Sequence, residues 1–364
     1  MEEKKPDLWL VAAILGILII GVVMVYSSSS IWSEYKFDDP WFYAKRQILF
    51  AVAGLIAMVV LSRIPYYVWH GHSKIIMIVC LVFLILVLIP GVGMVRGGAR
   101  SWIGVGMFSI QPSEFMKLGL ILFLARFLSE RQKLMNSFQQ GFLPALALIL
   151  VPFALIMLQP DLGTGVVMVG TCLVMLFTAG ARISHFMWIA GAGAAGMVGL
   201  IASAPYRIKR ITAFLHPWED PLGAGFQIIQ SLYAIGPGGL MGLGLGNSMQ
   251  KFFYLPEPQT DFIFAVLAEE LGFLGGLLVL GLFFILLWRG IRASLLAPDL
   301  FGSLLALGIV GMISIQVMIN ISVVTGLIPV TGITLPLISY GGSSLTLTLA
   351  SLGLLLSVSR FSTK

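Results

Sequence analysis

Three carboxylates stand at and inside an apolar run in the stretch KFFYLPEPQTDFIFAVLAEELG, Lys251 to Gly272. Asp261 lies where the run begins, behind Pro256 and Pro258, and Glu269 and Glu270 follow about two helical turns deeper. A single carboxylate on a proline-stiffened approach suits a general base that takes a proton from a hydroxyl. An aspartate at a helix start is equally a helix cap. Capping lowers its pKa and weakens the base, whereas partial burial raises it. Both readings stay open at this stage. Glu269, about 12 Å deeper by helical rise, is expected to be protonated or paired, because desolvation disfavours its charge. Glu269 and Glu270 read as lining or packing groups.

Other polar motifs interrupt the apolar chain. In IQPSEFMKLG, Pro112 suits a first helical position, and Glu114 and Lys117 share a helix face. They form either an intrahelical ion pair with a snorkelling lysine or a substrate-binding pair inside a span. Arg96 and Arg100 precede them in a glycine-rich loop without phosphate-loop spacing. Asp161, in LQPDLGTG, belongs either to a tight turn or to a site. The glycines of LISYGGSS admit either a ligand or a close helix. In PYRIKRITAFLHPWEDP, Ile208, Ile211 and Phe214/Leu215 recur at helical spacing between Arg207, Lys209 and Arg210. That pattern predicts a basic interfacial helix, resting on headgroups or covering a lipid-phosphate site. FQIIQSLYAIG reads as a second such helix. GPGGLMGLGLGNS lacks the lysine and strand context of a nucleotide loop. Cys80 and Cys172 read as packing residues, and the four histidines show no metal-ligand spacing.

These motifs need helices to hold them. The chain has 364 residues, 58% hydrophobic and 10% charged, a composition that excludes an ordinary soluble domain. Recurrent apolar runs of about 20 residues predict an all-α polytopic membrane protein. Ten transmembrane helices are expected, near 8–27, 44–62, 73–90, 113–129, 142–158, 162–180, 183–203, 262–288, 300–325 and 341–359. The short-loop Lys and Arg bias puts both termini in the cytoplasm. The whole chain is read as a single domain with one large extracellular loop, 204–261. Under this topology Lys36, Lys45, Arg46, Arg96, Arg100, Lys117, Arg207, Lys209, Arg210 and Lys251 fall on the outer side. The fourth, sixth, eighth and tenth spans each open on a motif at that side. Their N-termini would offer free N–H groups and positive partial charge to an anion. Whether the four meet in space is not legible from sequence.

Taken together, SWIG…IQPSEFMKL, QPDLGT, PYRIKRI…PWEDPLGAGFQIIQSLYAIGPGGL, LPEPQTDFIFAVLAEELG and TGITLPLISYGGSS resemble the SEDS family of peptidoglycan polymerases, most closely its sporulation members. The resemblance covers nearly the whole chain. It implies a ten-span fold, a catalytic aspartate at Asp261, and the family's acid and lysine at Glu114 and Lys117. Where some division-type relatives carry a lysine, this chain reads Pro329-Val330-Thr331-Gly332, so no cation is carried over. The implied reaction is polymerisation of lipid II. The acceptor's 4-hydroxyl attacks the anomeric carbon of a diphosphate-linked donor with inversion, and Asp261 is the base. The leaving diphosphate needs charge neutralisation. Lys117, Arg100 and the Arg207–Arg210 cluster are the candidates, or a divalent cation such as Mg or Mn. Glu114, Lys117, Arg100, Arg207, Lys209, Arg210 and Asp161 are thus the expected substrate-binding residues. The implied partners are lipid II, membrane lipids and a class B penicillin-binding protein, with no nucleic acid. The competing readings are a lipid II flippase, which would place polar groups at mid-bilayer, and a non-catalytic division scaffold that would not need Asp261.

Overall fold

The serine run Ser27–Ser30 does not end the first helix. In the computed structural model Ser28 and Ser29 bond back to the Val25 carbonyl, and Ser30 to that of Ser27. With these three hydroxyls satisfied inside the helix, the run continues as α1, Leu8–Phe37, ten residues beyond the expected end, and stops at a left-handed Asp38. The structure describes residues 5–96, 99–105, 108–202, 214–223, 225–252 and 254–362. Its other helices are α2 (Phe42–Arg63), α3 (Val68–Leu86), α4 (Pro112–Glu130), α5 (Leu143–Met157), α6 (Leu162–Thr178), α7 (Ile183–Ala202), α8 (Phe226–Ile235), α9 (Ile263–Leu295), α10 (Leu300–Val324) and α11 (Gly342–Phe361). A helix occupies each range in which a span is expected. Among the described residues, seven helices are long and apolar enough to cross a membrane: α1, α2, α3, the 138–157 segment, α9, α10 and α11.

The fold is not purely helical. The glycine-rich stretch before α4, expected to be a loop, forms a small antiparallel sheet of β1 (Met94–Arg96), β2 (Ala99–Val105) and β3 (Phe108–Ile110), in the order β1-β2-β3. Val95 pairs with Arg100, and Ile103 with Ile110. The β-branched and aromatic residues between the glycines favour pairing. The hairpins also give backbone groups at the end of the bundle their hydrogen-bond partners.

α10 and α11 form the interior. Leu304, Leu305, Ile309 and Ile313 of α10, and Leu349, Leu352 and Leu355 of α11, are fully buried. α11 packs along α2, while α10 touches α4, α6 and α9. By contrast α3 and α5 expose Ile75, Ile78, Val79, Leu150 and Val151. An apolar outer surface over a packed interior is the arrangement that a lipid solvent requires.

α9 is broken. Its 33 residues, about 50 Å by rise, contain one non-helical residue, Gly272, at φ 68° and ψ −166°. The glycine-rich segment that follows α8 threads through the break. The N–H groups of Leu243 and Gly244 donate to the carbonyls of Glu269 and Glu270, each at 3.0 Å. Those of Phe273 and Leu274 donate to Gly239 and Leu240 at 2.9 and 3.1 Å. A Cβ on Gly272 would stand 2.3 Å from the Gly242 nitrogen, and its φ is one that only glycine adopts freely. The backbone groups freed by the break are therefore satisfied by the loop.

Candidate active site

Asp161 closes the turn before α6. Its Oδ1 accepts from the Thr164 N–H at 3.1 Å, which caps the helix. Its Oδ2 accepts from Gln111 Nε2 at 2.9 Å and from Ser113 Oγ at 3.4 Å, at the start of α4. One carboxylate therefore fastens two helix N-termini side by side. A Cβ on Gly163 would stand 2.9 Å from the Thr331 carbonyl oxygen, so the segment before α11 lies on the start of α6. The buried Asn320, near the end of α10, extends the chain of contacts. Its Nδ2 donates to the carbonyls of Asp261 and Ile333, both at 2.8 Å. The Tyr340 N–H donates to the Gln259 carbonyl at 2.8 Å, and Gln47 Nε2 of α2 donates to that of Ser339 at 3.1 Å. The starts of α4, α6, α9 and α11 thus meet at one end of the bundle. This is the convergence that sequence could not establish.

At that end Asp261 is half-buried and does not cap α9. The cap position belongs to Phe262, which makes no side-chain cap bond. The Asp261 carboxylate accepts instead from its neighbour Thr260 Oγ1 at 2.9 Å, while Asn320 pins its backbone. Burial pushes the carboxyl pKa above the ordinary aspartate value. The Thr260 hydrogen bond pulls the other way by less, and the nearby Glu257 charge adds to the rise. A fixed, partly desolvated carboxylate with raised proton affinity is suited to accepting a proton.

The other expected residues fare differently. Glu114 and Lys117 form the intrahelical pair, Nζ to Oε1 at 2.8 Å, with side chains only 10% and 4% exposed. The lysine charge is already matched by an acid. Arg100 sits on β2 opposite Val95. Arg207, Lys209 and Arg210, with the basic interfacial helix expected there, lie outside the described residues. The second expected interfacial helix is α8, which buries Ile228, Ile229 and Ala234; Ser231 Oγ donates to the Val324 carbonyl at 2.7 Å.

Glu269 and Glu270 are buried and fully engaged. Glu269 accepts from Ser248 Oγ and, at 2.8 Å, from the Met249 N–H. Glu270 accepts from Ser27 Oγ at 2.6 Å, the Ser248 N–H at 3.2 Å and Lys251 Nζ at 3.4 Å. They hold the loop in the α9 break, as the packing reading expects. Among the described residues no three His, Cys, Asp or Glu side chains assemble a metal cage. A divalent ion at Asp261 would have to take most of its ligands from substrate phosphates. A cavity of about 430 Å³, lined by Tyr67, His70, Ser129, Asp299, Leu300 and Phe301, lies at the far end of α4 from Gln111.

Residues 8–364 match the family model described as "Cell cycle protein", covering FtsW, RodA and SpoVE. The chain belongs to the FtsW/RodA/SpoVE family. It is 66% identical over 361 residues to stage V sporulation protein E of Bacillus subtilis (strain 168), with 99% of each chain covered. It is 43% identical over 356 residues to the probable peptidoglycan glycosyltransferase FtsW of Trichlorobacter lovleyi, covering 97% of this chain and 93% of that one. Among solved structures it is similar to a chain of a peptidoglycan synthase complex studied for the coordination of polymerization and crosslinking. That chain is 35% identical, with TM-score 0.82 and 98% of each chain covered. It is also similar to RodA of Thermus thermophilus in an aspartate-to-alanine variant, 32% identical, with TM-score 0.73 and 99% of each chain covered. Family membership and the apolar helices together make this a membrane protein.

Sequence reading missed Gln111, Ser113, Asn320 and Glu257 around this end. Only Asn320 carried a usable signal, as a polar amide within an apolar helix. The others are ordinary loop or helix-start residues whose neighbours are remote in sequence.

Proposed function

We propose that this chain is a peptidoglycan glycosyltransferase that polymerises lipid II at the outer face of the membrane, for spore cortex or septal wall, with Asp261 as general base. The observation that carries the reading is the Asp261 carboxylate itself. It is free of the capping duty that would explain an aspartate there, its proton affinity is raised by burial, and its backbone is held by Asn320. In the reaction, Asp261 takes the proton of the acceptor's 4-hydroxyl as that oxygen bonds to the anomeric carbon of the donor. The bond from that carbon to the diphosphate breaks, the configuration inverts, and undecaprenyl diphosphate leaves with the electron pair. Such a base contributes about 10²–10⁴-fold. The leaving diphosphate is a stable anion and needs neutralisation rather than a proton, so a second glycosidase-type carboxylate is not required.

The names of its relatives support the activity, and the synthase complex supports a class B penicillin-binding protein as the crosslinking partner. A flippase reading draws on the broken α9 and its buried charges. Yet every carboxylate oxygen named there already has a protein partner, which suits a fixed staple better than a passage. The test is to feed labelled lipid II to the purified protein with its partner. Wild type is expected to form glycan strands and Asp261→Asn to form almost none. Equal polymerisation by both removes the base assignment. Scrambling of lipid II in vesicles with no polymer from either selects the flippase.

A further inference from the structure

Of the basic residues placed at the Asp261 side by sequence, several are already committed. Lys45 pairs with Asp39 at 2.8 Å, Lys117 with Glu114, and Lys251 with Glu270. Arg46, one turn into α2, makes no ion pair among the described residues. Its Nε is buried and has no hydrogen-bond partner there, which sets it apart from Lys36 and Arg100. Its Cζ lies 4.2 Å from the centroid of the Phe42 ring. The ring can shield one face of the guanidinium while the N–H donors, which lie in its plane, remain directed elsewhere. A buried donor without an acceptor is costly unless a ligand supplies one.

The surroundings of Arg46 lead to the candidate active site. Tyr43 packs edge-on against Tyr340 at 4.8 Å and lies within electrostatic reach of both Arg46 and Glu257. Glu257 in turn acts on Asp261. The Tyr340 N–H holds the Gln259 carbonyl, two residues before Asp261, and Gln47, beside Arg46, holds that of Ser339. The α2 turn that carries Arg46 is therefore part of the seat of Asp261. Two carboxylates in this neighbourhood repel an anionic substrate, and Lys117 is already matched by Glu114. Arg46 is the described cation here whose charge is not already taken by an acid and whose donor is buried without a partner.

We propose that Arg46 binds the phosphate oxygens of the lipid diphosphate substrate, a binding role for a residue that sequence reading left among the general outer cations. This deepens the glycosyl-transfer reading and rests on it. Arginine suits the task because its guanidinium stays charged at every relevant pH and can meet two phosphate oxygens at once. The same chemistry would accept the phosphate of a phospholipid headgroup, so the test must separate the two.

Farnesyl diphosphate is the probe, titrated against the full chain in phospholipid-free detergent, with phosphatidylglycerol as a second ligand. Arg46→Ala is expected to weaken farnesyl diphosphate binding at least about tenfold, the lower end for a charge-assisted bond. Arg46→Lys should recover part of the loss, and the KM for lipid II should rise more than kcat falls. Arg46→Gln, which keeps donors but no charge, guards against misfolding: a well-folded Gln variant that also loses the probe supports the proposal. Unchanged farnesyl diphosphate affinity in a folded Arg46→Ala or Arg46→Gln protein overturns it. So does a loss confined to phosphatidylglycerol, which assigns Arg46 to headgroups. If Arg46 variants lose the probe while Asp261→Asn polymerises like wild type, the base assignment fails and the diphosphate site stands.

Discussion

An aspartate at the head of an apolar helix poses a choice between cap and base, and in this chain the geometry removes the cap. Asp261 gives no bond to the helix that follows it, and burial keeps its carboxyl more basic than usual. Because the folded-state pKa lies above the unfolded one, the native state binds the proton more tightly. Stability contributed by this group is present below the ordinary aspartate pKa and is lost as pH rises through the raised value. Asp261→Asn is therefore expected to raise the melting temperature at neutral pH and to give no gain near pH 3, checked by thermal unfolding at both. Asn320 acts on the same residue through its backbone. Asn320→Ala leaves the part-buried Asp261 carbonyl and the buried Ile333 carbonyl without their shared donor, and is expected to cost about 1–3 kcal/mol and to lower kcat, checked by melting and single-turnover assays. The carboxylate was legible from its proline-stiffened approach and apolar flank. The amide that positions it was not, since it stands 59 residues away and nothing in spacing joins them.

At the scale of elements, α9 and the glycine loop form one interlocked unit. The break at Gly272 was not legible in sequence. A glycine that permits contact and a glycine at positive φ look alike in sequence. The partner loop lies in a segment whose composition excluded a nucleotide site without indicating what it does. Gly272→Ala demands a φ of 68° from an L-residue and places Cβ against the Gly242 backbone. It is expected to cost more than about 2 kcal/mol, seen as a lower melting temperature in detergent. The buried Lys251–Glu270 pair offers a second check. Glu270→Leu alone leaves a buried lysine charge and is expected to cost about 3–5 kcal/mol, whereas Lys251→Met with Glu270→Leu recovers the part due to the unpaired charge, the Ser27 and Ser248 donors staying without their acceptor. A double variant no better than the single one would show that the two do not couple. The small sheet before α4 escaped sequence reading because strands of 3 and 7 residues carry too little alternation to register.

Across the whole molecule, helix positions were legible because apolar runs of spanning length are the strongest signal a chain carries. How the helices gather was not, because lipid-facing and buried faces are both apolar and period alone cannot tell them apart. The gathering is what matters for function. The starts of α4, α6, α9 and α11 are tied together by Asp161, Gly163, Asn320 and Tyr340, so that Asp261 stands amid positive helix ends. A site that depends on one base and fixed positive surroundings should show that base in its pH dependence. The most direct measurement is the pH profile of lipid II polymerisation by the protein with its partner, wild type against Asp261→Asn. The wild-type rate is expected to fall with acid at a midpoint above the ordinary aspartate value. Asp261→Asn is expected to keep a residual rate about 100-fold or more lower, without that limb. A variant that polymerises at the wild-type rate, or one that keeps the same acid limb, contradicts Asp261 as the base.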